Sequence, residues 1–126
     1  RSTLFPYTTL FRSPYRQEPG AREQRRVTDA LRRIERDGHE PLSLAGLARE
    51  AAMSPWHFLR TFRRVAGVTP HQFILTRRLH QAAVRLRSSD APVGDIAFEA
   101  GFGDLSTFNR QFRRAMGASP TRYRAT

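Results

Sequence analysis

Phe58-Leu59-Arg60-Thr61-Phe62-Arg63-Arg64-Val65-Ala66-Gly67-Val68-Thr69-Pro70 recurs without a gap as Phe108-Asn109-Arg110-Gln111-Phe112-Arg113-Arg114-Ala115-Met116-Gly117-Ala118-Ser119-Pro120. Both copies read Phe-x-Arg-x-Phe-Arg-Arg-x-x-Gly-x-(Thr or Ser)-Pro, fifty positions apart. A repeat of this length marks two copies of one supersecondary unit. Each copy carries two aromatics and three arginines on one short helical stretch, a combination suited to meeting a polyanion twice.

Working outward, each copy is preceded by a second short helical segment. Leu47-Ala48-Arg49-Glu50-Ala51 aligns with Ile96-Ala97-Phe98-Glu99-Ala100 at an offset of forty-nine, so the second copy has one more residue in its turn. Two short helices joined by a tight turn form a helix-turn-helix, which needs small residues where the helices approach. Ala48 and Ala52 supply them in the first copy, Ala97 and Gly101 in the second. Gly101 and Gly103 accommodate the extra residue. Ala52 stands where glycine would adopt a positive φ more cheaply, at a cost of about 1 kcal/mol if that backbone is left-handed.

Start and stop signals divide the rest of the chain. Residues 21–36 carry Val27, Ala30, Leu31 and Ile34 as one apolar stripe, ended by Asp37-Gly38 with glycine expected to supply a left-handed cap. Ser43 caps a short helix that turns Leu44, Leu47, Ala48 and Ala51 inward. Ser54-Pro55 starts a helix that stops at Gly67, and Thr69-Pro70 starts a longer one to about Ser88, with Phe73, Ile74, Leu79, Ala82, Ala83 and Leu86 apolar. Pro92 opens a helix with Val93, Ile96, Ala97 and Ala100 inward; Asp104 caps the next, and Ser119-Pro120 starts a last turn containing Tyr123. No stretch alternates like a strand. The expected fold is all-α: seven helices forming two helix-turn-helix subdomains joined by a long linker helix. Residues 21–69 form the first with its leading helix, 70–89 the linker and 90–126 the second.

The helical period of about 100° per residue separates two faces of each repeated helix. Phe58, Phe62 and Val65 fall together, as do Phe108, Phe112 and Ala115, and these are expected inward. The opposite strips carry Trp56, Leu59, Arg60 and Arg63 in one copy, and Ser106, Asn109, Arg110 and Arg113 in the other. Trp56 and Leu59 suit either a helix–helix or dimer contact, or thymine methyls and sugars in a groove. Arg60 and Arg110, central on their strips, are assigned to base edges, because arginine binds guanine bidentately. Arg63 and Arg113, one turn on, are assigned to phosphates. Asn109 suits adenine, and Ser106 or Thr107 suits base or phosphate. Arg64 and Arg114 lie off the strips and are read as solvated or structural. A linker from Pro70 to Ser88 spans roughly 28 Å at about 1.5 Å per residue. Successive major-groove faces on one side of B-DNA lie about 34 Å apart, so one chain of this design can reach two.

Composition agrees and excludes much. The chain has 126 residues, room for one domain or two very small ones, and a formal net charge of +11. All 22 basic residues are arginine, which suits phosphate and guanine and also reflects what a GC-rich genome would encode. There is no cysteine, so disulfides, thiolate metal sites and cysteine nucleophiles are excluded. His39, His57, His71 and His80 show no metal-ligand spacing with carboxylates; each reads as a surface or packing residue, His57 also as a phosphate contact. No catalytic residue, metal site or cofactor is expected. No apolar run approaches the roughly 20 residues of a membrane span. Thr3 to Ser13 corresponds codon for codon to a DNA string resembling a widely used short-read sequencing adaptor. Residues 1–20 are therefore set aside as an artefactual or disordered leader and linker, with the natural N-terminal part missing.

From Leu42 to Arg124 the chain resembles the AraC/XylS family of bacterial transcription regulators. Asp95-Ile96-Ala97, Gly101-Phe102, Phe108-x-Arg110-x-Phe112-Arg113 and Gly117-x-Ser119-Pro120-x-x-Tyr123-Arg124 match its signature. The resemblance implies sequence-specific binding of double-stranded promoter DNA by helices of about 55–66 and 105–116, inserted in adjacent major grooves. Its implied base-facing residues are Trp56, Leu59 and Arg60, then Leu105, Ser106, Thr107, Asn109 and Arg110. It further implies RNA polymerase as a partner, a cytoplasmic, nucleoid-associated location, no membrane and no enzymatic activity. A chain of this size is expected to act as a monomer. The competing reading is a non-specific binder of RNA or anionic surfaces, which would need neither the glycine turns nor the paired aromatic cores.

Overall fold

The computed structural model describes residues 19–126; the leader reading for residues 1–18 lies outside them. Among the described residues there are seven helices and no strand: α1 (Ala21–Asp37), α2 (Leu44–Glu50), α3 (Pro55–Ala66), α4 (Pro70–Ser88), α5 (Val93–Glu99), α6 (Leu105–Met116) and α7 (Pro120–Ala125). The caps lie at the expected positions. The side chains of Ser43, Ser54, Thr69, Asp104 and Ser119 each accept a bond from a backbone N–H three residues on, satisfying a donor the helix cannot. Gln72 completes a reciprocal box by accepting from the N–H of Thr69. Gly67 and Gly117 close the two repeated helices with φ of 83° and 79°.

Helix α4 is the axis of the molecule. On one side it packs with α1 and α3, on the other with α5, α6 and α7. Two hydrophobic cores result. The first gathers Val27, Ile34, Leu47, Ala48, Phe58 and Phe62, with Ile74 from α4 and Phe73 against it. The second gathers Ile96, Ala97, Phe102, Phe108 and Phe112 on Leu79, Ala82, Ala83 and Leu86 of α4. One helix thus contributes its first turns to one core and the rest to the other. Edge-on aromatic contacts extend each core: Phe62 on Phe73 at 6.0 Å, and Phe112 on Tyr123 at 5.3 Å.

The two turns share one hydrogen-bond pattern. Met53 N–H donates to Ala48 and Ala52 N–H to Arg49; Phe102 N–H donates to Ala97 and Gly101 N–H to Phe98. This is the glycine-type helix stop, with the residue after the cap at positive φ and an apolar side chain tucked back. That residue is Ala52 at 58° in one copy and Gly101 at 107° in the other, and Ala52 is the one positive-φ non-glycine among the described residues. Three expectations need correction. Gly38 has φ of −63°, not a left-handed value. Its glycine is required because a Cβ would lie 2.5 Å from the Ile34 carbonyl oxygen. Leu44, in the first turn of a seven-residue helix, overshoots the core and is exposed, and Ala115 is exposed because the core beside it ends at Met116 and Tyr123.

The copies therefore respond oppositely to substitution. Ala52→Gly relieves left-handed alanine and is expected to raise unfolding stability by about 1 kcal/mol. At Gly101 a Cβ would meet the His39 carbonyl oxygen at 2.7 Å as well as an unfavourable φ. Gly101→Ala is expected to lower stability by roughly 2 kcal/mol or more. Urea unfolding of both variants checks the signs.

Candidate nucleic-acid interface

Each repeated helix is anchored by phenylalanines that leave its far side in solvent. Phe58 and Phe62 are fully buried with ring centroids 5.6 Å apart, and Phe108 and Phe112 are fully buried at 5.5 Å. On α3 the opposite side carries Trp56, 67% exposed, with Arg60 and Arg63 exposed and Leu59 half-buried. Thr61, off this strip, is buried. On α6, Leu105, Ser106, Asn109, Arg110 and Arg113 are exposed and Thr107 is half-buried. Eight of the ten expected site residues thus have exposed side chains, and Leu59 and Thr107 are half-buried. Thr107 is partly committed: its N–H and hydroxyl both donate to the Asp104 carboxylate.

The strips differ in chemistry. An exposed indole heads the α3 strip, two arginines following, whereas hydroxyl, amide and guanidinium groups cover the α6 strip. Among the described residues, Arg60, Arg63, Arg110 and Arg113 form no salt bridge with a carboxylate, so their charge is available to an anion. Asp104 is the acidic neighbour of the α6 strip. Its carboxyl is held below the usual range, first by the Thr107 hydroxyl, then by the Thr107 N–H, with Arg110 adding attraction. It remains ionised and keeps the helix start fixed.

Some of the surface escapes a sequence reading. Arg114, Ser119 and Thr121 line one open concavity together with Ser106, Asn109, Arg110 and Arg113. Arg114, read as lying off the strip, therefore shares its groove. The Ser119-Pro120 start signal was visible, but its proximity to α6 arises only when Tyr123 seats α7 on Phe112. His57 is not a free phosphate contact: its Nε2 lies 2.6 Å from Glu23 Oε2 of α1. Arg78 and Arg124 are structural. Arg78 donates to the carbonyls of Gly38 and Glu40, and Arg124 to those of Leu86 and Ala91. Burial pushes the Arg78 guanidinium below its ordinary value. Among the described residues no group of three or more His, Cys, Asp or Glu is placed to hold a metal ion, and no helix is long and apolar enough to cross a membrane.

Comparison with known proteins places this geometry among relatives. Residues 47–126 match the family described as "Helix-turn-helix domain". Regulatory protein SoxS of Escherichia coli (strain K12) is 36% identical over 101 residues, covering 80% of this chain and 94% of SoxS. Right origin-binding protein of the same strain is 39% identical over 90 residues, 70% of this chain and 31% of that protein. The DNA-binding domain of AdpA, a global transcriptional factor solved with a target DNA, superposes with a TM-score of 0.75 at 34% identity, covering 79% of this chain and 89% of that one. The C-terminal domain of AraT, a response regulator from Geobacillus stearothermophilus, superposes with a TM-score of 0.76 at 28% identity, over 79% of this chain and 84% of that one.

The Asp104 cap gives a prediction with a sign. Asp104→Ala removes the side-chain acceptor and is expected to destabilise the start of α6. Because the folded carboxyl is held below its unfolded value, its contribution is full above the unfolded pKa and is lost as pH falls through the folded one. The stability difference between wild type and Asp104→Ala should therefore be constant near neutrality and shrink in acid, as read by thermal unfolding across a pH series.

Proposed function

We infer, for a chain that belongs to the AraC/XylS family of transcription regulators as a DNA-binding domain, that α3 and α6 are two recognition helices entering adjacent major grooves of one duplex. The chain binds double-stranded DNA sequence-specifically and regulates transcription. The observation that carries the finer reading is the pairing of two solvent-facing basic strips, each backed by two buried phenylalanines, on helices fixed to a common axis. AdpA's domain, similar in fold, was solved on its target DNA. A free membrane-lying helix would need no such aromatic backing.

On this reading Arg60 and Arg110 meet base edges, while Arg63 and Arg113 meet phosphates, with Arg114 joining them. Trp56, with Leu59 beside it, offers apolar contact to thymine methyls or sugars, and Leu105 does the same on α6. Ser106, Asn109 and the free lone pairs of Thr107 give the second strip a polar reading surface. The two strips therefore read different bases even though they are built on one repeat. The chain acts in the cytoplasm as a monomer, because both reading helices lie on one polypeptide, and RNA polymerase is the downstream partner. It is not an enzyme.

Selection of sites from a random duplex pool, followed by affinity measurements on the selected site and single-base variants, tests the assignment. Arg60→Ala and Arg110→Ala should each lose about 1–3 kcal/mol on the selected site and relax preference at one base pair. Arg63→Ala and Arg113→Ala should weaken all sequences alike and reduce the salt slope by about 1 each. Uniform weakening by Arg60→Ala and Arg110→Ala would remove the base-reading role.

A further inference from the structure

We propose that the first two turns of α1 form a third DNA-contacting element, in which Arg22 and Arg26 hold backbone phosphates flanking the segment read by α3. The proposal rests on the duplex binding inferred above and adds a surface outside both helix-turn-helix units. The first observation is a junction. Glu23 Oε2 lies 2.6 Å from His57 Nε2, so the first turn of α1 is fastened to the first turn of α3. His57 projects from α3 on the edge shared with Arg60 and Arg64, by the helical period. Helix α1 therefore continues the basic surface sideways from Arg60.

The second observation is an asymmetry of charge pairing along α1. At its far end Arg33 lies within ion-pair distance of Asp37 and Glu50, and Arg36 of Asp37. At the near end Glu23 is occupied by His57 and by the N–H of Gly20. Arg22, Arg25 and Arg26 form no salt bridge among the described residues. Arg33 and Arg36 are thus paired with carboxylates within the fold, whereas Arg32 and the three arginines of the near end are not, among the described residues. Arg22 and Arg26 stand four residues apart on one face, and Arg26 lines a groove with Ala51, which leads into the turn before α3. Arg25 points from the back of the helix and is left out. Arg22 is exposed and Arg26 half-buried, and guanidinium groups beside a reading helix that no carboxylate of the described residues neutralises suit phosphate oxygens, which need charge and no base identity.

The test uses the full chain and two duplexes, one carrying the selected site with long flanks and one trimmed at the edge beside α3. On the long duplex, Arg22→Gln/Arg26→Gln should lower the slope of log affinity against log salt by about 2, since each phosphate contact contributes about 0.9. Base preference should stay unchanged. Trimming should weaken wild type and leave the double variant unaffected, and Arg22→Lys/Arg26→Lys should restore most of the slope. An unchanged slope in the glutamine variant, or equal sensitivity to trimming, overturns the proposal while leaving recognition by α3 and α6 intact. A wild type without base preference would instead overturn the function on which it rests. Both positions lie outside the core, and thermal unfolding of the variants confirms that any loss belongs to binding.

Discussion

Everything in this fold hangs on α4 belonging to two cores at once. Ile74, with Phe73, is buried against the first motif, and Leu79, Ala82, Ala83 and Leu86 against the second. Helices of seven and twelve residues enclose little volume, so each motif needs further helices over its phenylalanines: α1 and α4 in the first, α4 and α7 in the second. Sharing one nineteen-residue helix serves both, and it also sets the separation and rotation of the reading helices. Arg78 reinforces the join. It reaches from α4 to the Gly38 and Glu40 carbonyls, satisfying acceptors at the end of α1, and Gly101 of the second motif lies close against it. A bulkier residue at position 101 would push the second turn off the first motif.

The arginines divide by environment rather than by sequence context. Arg77, Arg78 and Arg124 point along the fold and donate to carbonyl oxygens at helix ends and loops. Such oxygens have no intrahelical donor, and a guanidinium supplies several in a fixed fork. Arg87 covers the Tyr123 ring at 4.0 Å, adding a cation–π contact that seats α7. Arg60, Arg63, Arg110 and Arg113 face outward without carboxylate partners among the described residues. The net charge of +11 is therefore not a uniform coat. Part of it builds the scaffold, part is paired with carboxylates, and the arginines of the α3 and α6 strips are left for a polyanion.

Much of this was legible in the sequence because its signals are local. Ser54-Pro55, Thr69-Pro70 and Ser119-Pro120 set helix starts through a side-chain acceptor and a preset φ, which no tertiary contact has to supply. The spacing of Phe58 and Phe62 fixed an inward face, and with it the outward side of Trp56, Arg60 and Arg63. What escaped was long-range. Gly38 looks like a left-handed stop, yet its constraint is the proximity of the Ile34 carbonyl and the Arg77 side chain. Carbonyl acceptors leave no mark in a sequence, so the roles of Arg78 and Arg124 were hidden. Ser119 and Thr121 come beside α6 only through the packing of α7, and that wall is what makes Arg114 part of the groove. The helical period extended an inward face to Ala115, but α6 outruns the core it packs on.

The central claim is that a shared helix holds two reading helices at one fixed spacing. Inserting about five base pairs, half a helical turn, between the two halves of the selected site tests it directly. A rigid α4 cannot follow the rotation, so affinity should fall to that of a duplex retaining only one half. Unchanged affinity after the insertion would contradict the account, because it would mean that the two motifs move independently or that only one of them reads DNA.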